Sequence, residues 1–223
     1  MNIKIKICGI RTYDDAMAVI EAGADIIGFN FYQQSPRYIT PGDCLKLVAR
    51  LQASLREELA RVTLVGVFVN HSPDYVHMLT GDCLLDRIQL SGDEPPSDLE
   101  FLGERTFKVL RPPNEAYLED ALRRYPPRVL DPEWMIDTYH PGLYGGTGMT
   151  ADWAMIRKFA EKQTIILAGG LRPENVAEAI RQVRRPWGVD VASGVESAPG
   201  VKDLDKVRAF IAAVRSVVAE AAP

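Results

Sequence analysis

Thr164-Ile165-Ile166-Leu167-Ala168-Gly169-Gly170-Leu171 is an apolar run that ends on two glycines, and Pro173 opens a helical stretch to residue 183 just beyond it. A second run, Gly188-Val189-Asp190-Val191-Ala192-Ser193-Gly194-Val195-Glu196, follows that helix. Strand, glycine loop, proline-started helix and second strand together make a βαβ unit. Runs that are apolar along their length, rather than alternating, are what strands buried on both faces of a parallel sheet require.

The same unit recurs toward the N-terminus. Residues 3–8, 26–31, 63–69, 87–90, 107–110 and 134–137 read as strands, and with 164–168 and 188–193 they make eight. Helices are predicted over 12–22, 41–55, 73–79, 116–125, 152–161, 173–183 and 203–221, the first stopped by Gly23. Pro126, Pro127 and Pro132 punctuate the approach to the sixth strand and blur its start. Dividing 223 residues by eight gives about 28 per unit, an economical βα repeat. The expected class is therefore α/β, a single-domain (β/α)8 TIM barrel over residues 1–223. An open doubly wound sheet would want a nucleotide fingerprint. No GxGxxG follows a strand and no GxxxxGKS or GxxxxGKT occurs.

Composition agrees with a globular chain, with 47% hydrophobic and 25% charged residues. Its 26 Lys+Arg against 30 Asp+Glu leave a net charge of -4, which gives no electrostatic reason to expect nucleic acid or an anionic membrane as partner. A small anionic substrate needs only a local site. Cys8, Cys44 and Cys83 form no CxxC pair and no disulfide framework, which fits free thiols in a reducing cytoplasm. The N-terminal residues alternate polar and apolar, unlike a signal peptide, and no stretch approaches the ~18 apolar residues of a membrane helix. His71, His77 and His140 lack metal-ligand spacing, so no metal is expected.

In a barrel, functional residues lie at the C-terminal ends of strands. The first strand ends Lys6-Ile7-Cys8-Gly9, and period-two alternation puts Lys4, Lys6 and Cys8 on one face. A lysine beside a cysteine can stabilise its thiolate for use as base or nucleophile, whereas the competing reading is a small buried hydrophobe. The second strand leads to Ser35-Pro36-Arg37-Tyr38, whose arginine offers a fork for a carboxylate or is a solvated loop residue. Asp137 ends the sixth strand, ahead of Tyr144-Gly145-Gly146-Thr147-Gly148, and is a candidate general acid or a loop cap. Glycines after strands seven and eight, at Gly169, Gly170 and Gly194 with Ser193, favour phosphate over turns that merely need glycine.

Together these segments resemble the phosphoribosylanthranilate isomerase family of tryptophan biosynthesis. The resemblance covers nearly the whole chain, in the family's order. It adds Gly28-Phe29-Asn30-Phe31, Val65-Gly66-Val67-Phe68-Val69-Asn70, Gln89-Leu90-Ser91-Gly92-Asp93-Glu94, Pro173-Glu174-Asn175-Val176, and Pro199-Gly200 with Lys202-Asp203. It implies an Amadori rearrangement of N-(5-phosphoribosyl)anthranilate with Cys8 as general base and Asp137 as general acid. Of the two aspartates before the glycine loop, Asp131 and Asp137, the family's spacing falls on Asp137. Arg37 is implied to hold the anthranilate carboxylate, Gln89 and Asp190 to bind substrate, and Gly146, Gly169, Gly170, Ser193 and Gly194 to bind phosphate.

No cofactor is implied. The partner is a small phosphosugar–anthranilate substrate, not nucleic acid or membrane, and the chain is expected to be a monomer or homodimer. The related histidine-pathway isomerase would carry aspartate in place of Cys8. The neighbouring indole-glycerol-phosphate synthase would want a Lys/Glu set at the strand ends. Ser91 departs from the family, which usually has His there. Lys6 is expected to lower the Cys8 pKa, with Asp190 balancing the lysine inside the barrel.

Overall fold

Eight strands close on themselves in chain order, every neighbour parallel, with β1 paired to β8. They are β1 (Lys4–Cys8), β2 (Ile26–Asn30), β3 (Thr63–Phe68), β4 (Arg87–Leu90), β5 (Thr106–Leu110), β6 (Trp134–Ile136), β7 (Ile165–Leu167) and β8 (Gly188–Val191). The structure is a computed structural model that describes residues 3–137, 153–184 and 186–220. The helices among these are α1 (Tyr13–Glu21), α2 (Pro41–Ser54), α3 (Arg56–Leu59), α4 (Pro73–Asp82), α5 (Pro96–Leu102), α6 (Glu115–Arg124), α7 (Trp153–Ala160), α8 (Val176–Val183) and α9 (Leu204–Glu220). No helix among the described residues is long and apolar enough to cross a membrane.

The predicted barrel is therefore present, with local differences that include the short unforeseen helix α3 after α2. A helix the sequence reading left out, α5, follows β4 and starts at Pro96, where a proline without an N–H costs nothing. The helix expected from Pro173 begins only at Val176. Before it, Asn175 Oδ1 accepts from Arg172 N at 2.8 Å and Asn175 Nδ2 donates to Gly170 O at 3.0 Å, so the side chain is spent on the preceding loop. Beyond β8, a 3-10 turn (Ser193–Val195) leads into an antiparallel hairpin of β9 (Glu196–Ala198) and β10 (Val201–Lys202), also unforeseen.

Two apolar clusters hold the fold. The larger lies between strands and helices and takes the outward residues of β1, Ile5 and Ile7, both fully buried. Each such side chain contributes about 1.5–3 kcal/mol by burial. The smaller lies within the strands: Ile26, Val65, Phe107, Val109, Met135, Ile166 and Ala168, with Trp187 against it. Alternation along β1 sends Lys6 and Cys8 away from the outer cluster and into the barrel. Helix starts are capped by Thr12, Thr40, Ser72 and Asn114, each accepting from the backbone N–H three residues on.

Candidate active site

Lys6 is wholly buried, and a buried ammonium requires a counter-charge. It finds one across the closing seam of the barrel, where Lys6 and Asp190 are register partners and Nζ lies 2.7 Å from Oδ1. Asp190 and Cys8 together hold the lysine pKa above its ordinary value although burial, the largest influence, acts to lower it. The positive charge of the same ammonium acts on the Cys8 thiol. Gly28 makes the space: a Cβ there would lie 3.0 Å from Cys8 Sγ and 3.1 Å from Lys6 Nζ.

The expected link between Lys6 and Cys8 is thus in place, but its net outcome differs. Burial pushes the Cys8 thiol up, Lys6 pulls it down, and Asp190 pushes it up again, so the pKa ends above the ordinary value. Charge alone pointed to a ready thiolate. The cost of burying an anion outweighs one lysine already shared with a carboxylate.

Arg37 does not stand open to a ligand on all sides. Its Nε and Nη2 donate to the two oxygens of Glu196 at 2.8 and 2.7 Å, a bidentate pair. Glu196 also receives Lys202 Nζ at 3.0 Å. Burial works against the Glu196 charge, yet the hydrogen bond from Arg37 and the charge of Lys202 bring its pKa below the usual carboxylate range. Both Glu196 and Lys202 lay in the quoted motifs with no role given.

A cavity of about 270 Å³ opens at the C-terminal ends of the strands. Arg37, Gln89, Asp137, Gly169, Gly170, Asp190 and Ser193 line it, so seven of the anticipated residues converge on one space. Cys8 lies behind this wall at 7% exposure, joined to it through Lys6 and Asp190. Gly194 is not in the lining. Its role is close packing, since a Cβ there would meet Leu171 O at 1.9 Å. Gly169 and Gly170 have positive φ of 90° and 65°, which explains glycine at both. Gly146, with the rest of Tyr144–Gly148, falls outside the described residues.

Asp131 and Asp137 separate cleanly. Asp137 borders this cavity, 3.6 Å from Arg111 Nε through Oδ2. Asp131 borders a different cavity of about 110 Å³ at the other mouth of the barrel, with Lys4, Arg61 and Trp187, and its carbonyl accepts from Arg87 Nη1.

Arg111 was overlooked, although a cation directly after β5 is a strand-end signal of the same kind as the others. Its Nη1 donates to Ser91 O at 2.8 Å, beside the buried Gln89 whose Nε2 donates to Ser91 Oγ at 3.1 Å. Gln89 Oε1 is buried with no hydrogen-bond partner among the described residues. Beneath them Lys108 Nζ bonds Glu94 Oε2 at 2.5 Å and Gly92 O at 2.6 Å, which fixes the loop after β4. No group of three or more His, Cys, Asp or Glu placed to hold a metal ion occurs among the described residues.

The family model described as "N-(5'phosphoribosyl)anthranilate (PRA) isomerase" matches residues 5–213. The N-(5'-phosphoribosyl)anthranilate isomerase of Trichlorobacter lovleyi is 45% identical over 210 residues, covering 94% of this chain and 96% of that protein. Phosphoribosyl anthranilate isomerase from Thermotoga maritima superposes with a TM-score of 0.84 at 37% identity, over 96% of this chain and 100% of that one. Another solved isomerase, in complex with reduced 1-(o-carboxyphenylamino)-1-deoxyribulose 5-phosphate, has a TM-score of 0.79 at 35% identity over 96% and 100% of the two chains. With fold, site and near full-length similarity in agreement, this chain belongs to the N-(5'-phosphoribosyl)anthranilate isomerase family.

Proposed function

We propose that the chain acts in tryptophan biosynthesis by converting N-(5-phosphoribosyl)anthranilate to 1-(o-carboxyphenylamino)-1-deoxyribulose 5-phosphate, with Asp137 as general acid and Cys8 as general base. The observation that carries this reading is the convergence of the β4, β6, β7 and β8 ends on one cavity, with Lys6 and Cys8 of β1 joined to its wall through Asp190, within a chain of this family.

Asp137, protonated, donates to the ribose ring oxygen. The C1′–O bond breaks and the nitrogen lone pair forms the Schiff base. Cys8, as thiolate, then removes the proton on C2′, and the electron pair moves to nitrogen to give an enolamine that tautomerises to the ketone. An acid and a base on opposite sides of the sugar are required, and β6 and β1 lie apart around the ring of strands. Each such group typically contributes ~10²–10⁴-fold. Lys6 compensates the charge on Cys8 when it forms, and Asp190 keeps the lysine itself balanced between turnovers.

Backbone N–H groups around Gly169, Gly170 and Ser193 suit the phosphate, and Arg37 suits the ring carboxylate. Anchoring both ends of the substrate aligns the sugar without touching its reacting atoms. Arg37 keeps an edge for this role, because Glu196 takes only Nε and one N–H of Nη2.

The deciding experiment follows the decay of anthranilate-type fluorescence when substrate is generated in situ, with Cys8→Ser as control. No decay with the unaltered chain, or full activity in the control, removes the assignment.

A further inference from the structure

Glu196 is an acid with a 4% exposed side chain and two cations on it, Arg37 and Lys202. It opens the β9–β10 hairpin, and Lys202 closes the same hairpin, so that short sheet carries both members of a buried pair. The hairpin is fastened to both ligand-facing loops. Lys202 Nζ donates to Ala192 O at 3.2 Å, one residue before Ser193. At the turn, a Cβ on Gly200 would lie 2.5 Å from Pro36 O, one residue before Arg37. Lys206 Nζ holds the Glu196 carbonyl at 2.9 Å from α9.

The arginine is confined on its other side as well. A Cβ at Gly9 would lie 2.7 Å from Arg37 Cδ, so the stem runs against bare backbone immediately after Cys8. Its backbone N–H is taken by Ser35 Oγ at 3.1 Å. Stem and inner edge are thus fixed before any ligand arrives, and the Nη1 side is the edge left by Glu196. A side chain ordered in advance loses less conformational freedom on binding, and a planar fork aimed in advance recognises a carboxylate by direction as well as by charge.

We propose that Glu196, balanced by Lys202, is a positioning residue that sets Arg37 for the ring carboxylate of the ligand. This rests on the reading of Arg37 given under the proposed function. Glu196 touches no reacting atom; it acts through the arginine. Lys202 shares Oε1 with Arg37 Nε and leaves Oε2 to Arg37 Nη2, so the carboxylate is balanced while both bonds of the fork stay in place.

The test measures, by fluorescence titration, the affinity of reduced 1-(o-carboxyphenylamino)-1-deoxyribulose 5-phosphate and of its counterpart lacking the ring carboxylate. Glu196→Gln is expected to weaken the carboxylate-bearing ligand about tenfold and to change the other less than twofold. In Arg37→Met the same discrimination is expected, and the double variant should be no weaker than Arg37→Met alone. Equal weakening of both ligands by Glu196→Gln, or no weakening, overturns the positioning role. If Arg37→Met itself fails to discriminate, the carboxylate reading of Arg37 falls instead, and the two failures are separate results. Should Glu196→Gln not fold because Lys202 is left buried without a partner, Glu196→Gln/Lys202→Met removes both charges and is judged by the same comparison.

Discussion

Lys6 Nζ meets Asp190 Oδ1 at 2.7 Å across the seam where the last strand closes on the first. The pair therefore exists only when the barrel is shut. Lys6→Met leaves a carboxylate of 12% exposure without its cation, and loss of one partner of a buried pair costs about 3–5 kcal/mol. Cys8 loses its lowering influence at the same time. Iodoacetamide alkylation of Cys8 against pH should show the thiol pKa moving further up. An unchanged profile would show that Lys6 does not tune the base. Lys6→Met/Asp190→Asn should recover most of the stability and keep the raised thiol.

The pH–rate profile follows from the direction of the Cys8 shift. Because burial keeps the thiol protonated past its ordinary value near 9.0, the basic form accumulates only as pH rises. On the proposed mechanism, kcat/KM should climb through the neutral range, by about tenfold per pH unit where Cys8 alone limits. A flat profile between pH 6 and 9 would rule Cys8 out as the group that must ionise.

Asp137→Asn should lower kcat by ~10²–10⁴, the usual worth of a general acid, with little change in melting temperature. Asp131→Asn, at the opposite mouth of the barrel, should leave kcat unaltered and act only on stability. Reversed outcomes would transfer the acid role to Asp131.

Gly194→Ala places a methyl group where Leu171 O already is, so the loop after β8 must move. Inhibition by inorganic phosphate should weaken about tenfold or more, while far-ultraviolet circular dichroism stays near that of the unaltered chain. Undiminished phosphate inhibition would show that this loop does not hold the anion.

Alkaline stability carries a signature of the other two thiols. Burial first, and then Cys83, pushes the Cys44 thiol up, and burial likewise pushes Cys83 up. A group raised in the folded state gives stability that is fully present below its ordinary pKa of 9.0 and is lost as pH rises toward the folded value. Each such group steepens the loss by about 1.4 kcal/mol per pH unit. Urea unfolding of Cys44→Ala between pH 9 and 10.5 should therefore show a slope shallower by about one group.

Much of the barrel was legible because its strands obey a local rule. Apolar runs and glycine stops marked the strands, and period-two alternation put Lys4, Lys6 and Cys8 on one face of the first. Other features were set by partners remote in the chain. Arg37 and Glu196 lie 159 positions apart, so nothing near Arg37 signals that half its fork is occupied. The Cys8 shift depended on how completely the site excludes water, a property of the assembled ring rather than of Lys6-Ile7-Cys8. Helix α5 escaped notice because Pro95-Pro96 reads as a loop until one sees that Pro96 is its first residue.

The modest apolar cluster inside the strands, against the broad one beneath the helices, separates two kinds of heredity in this protein. Substitutions in the outer layer are felt as abundance, through the fraction of chains that stay folded. Those at the strand ends that line the cavity are felt as reaction rate or ligand choice, because these side chains face the ligand. A lineage can therefore change what the cavity accepts without first rebuilding what keeps the ring closed.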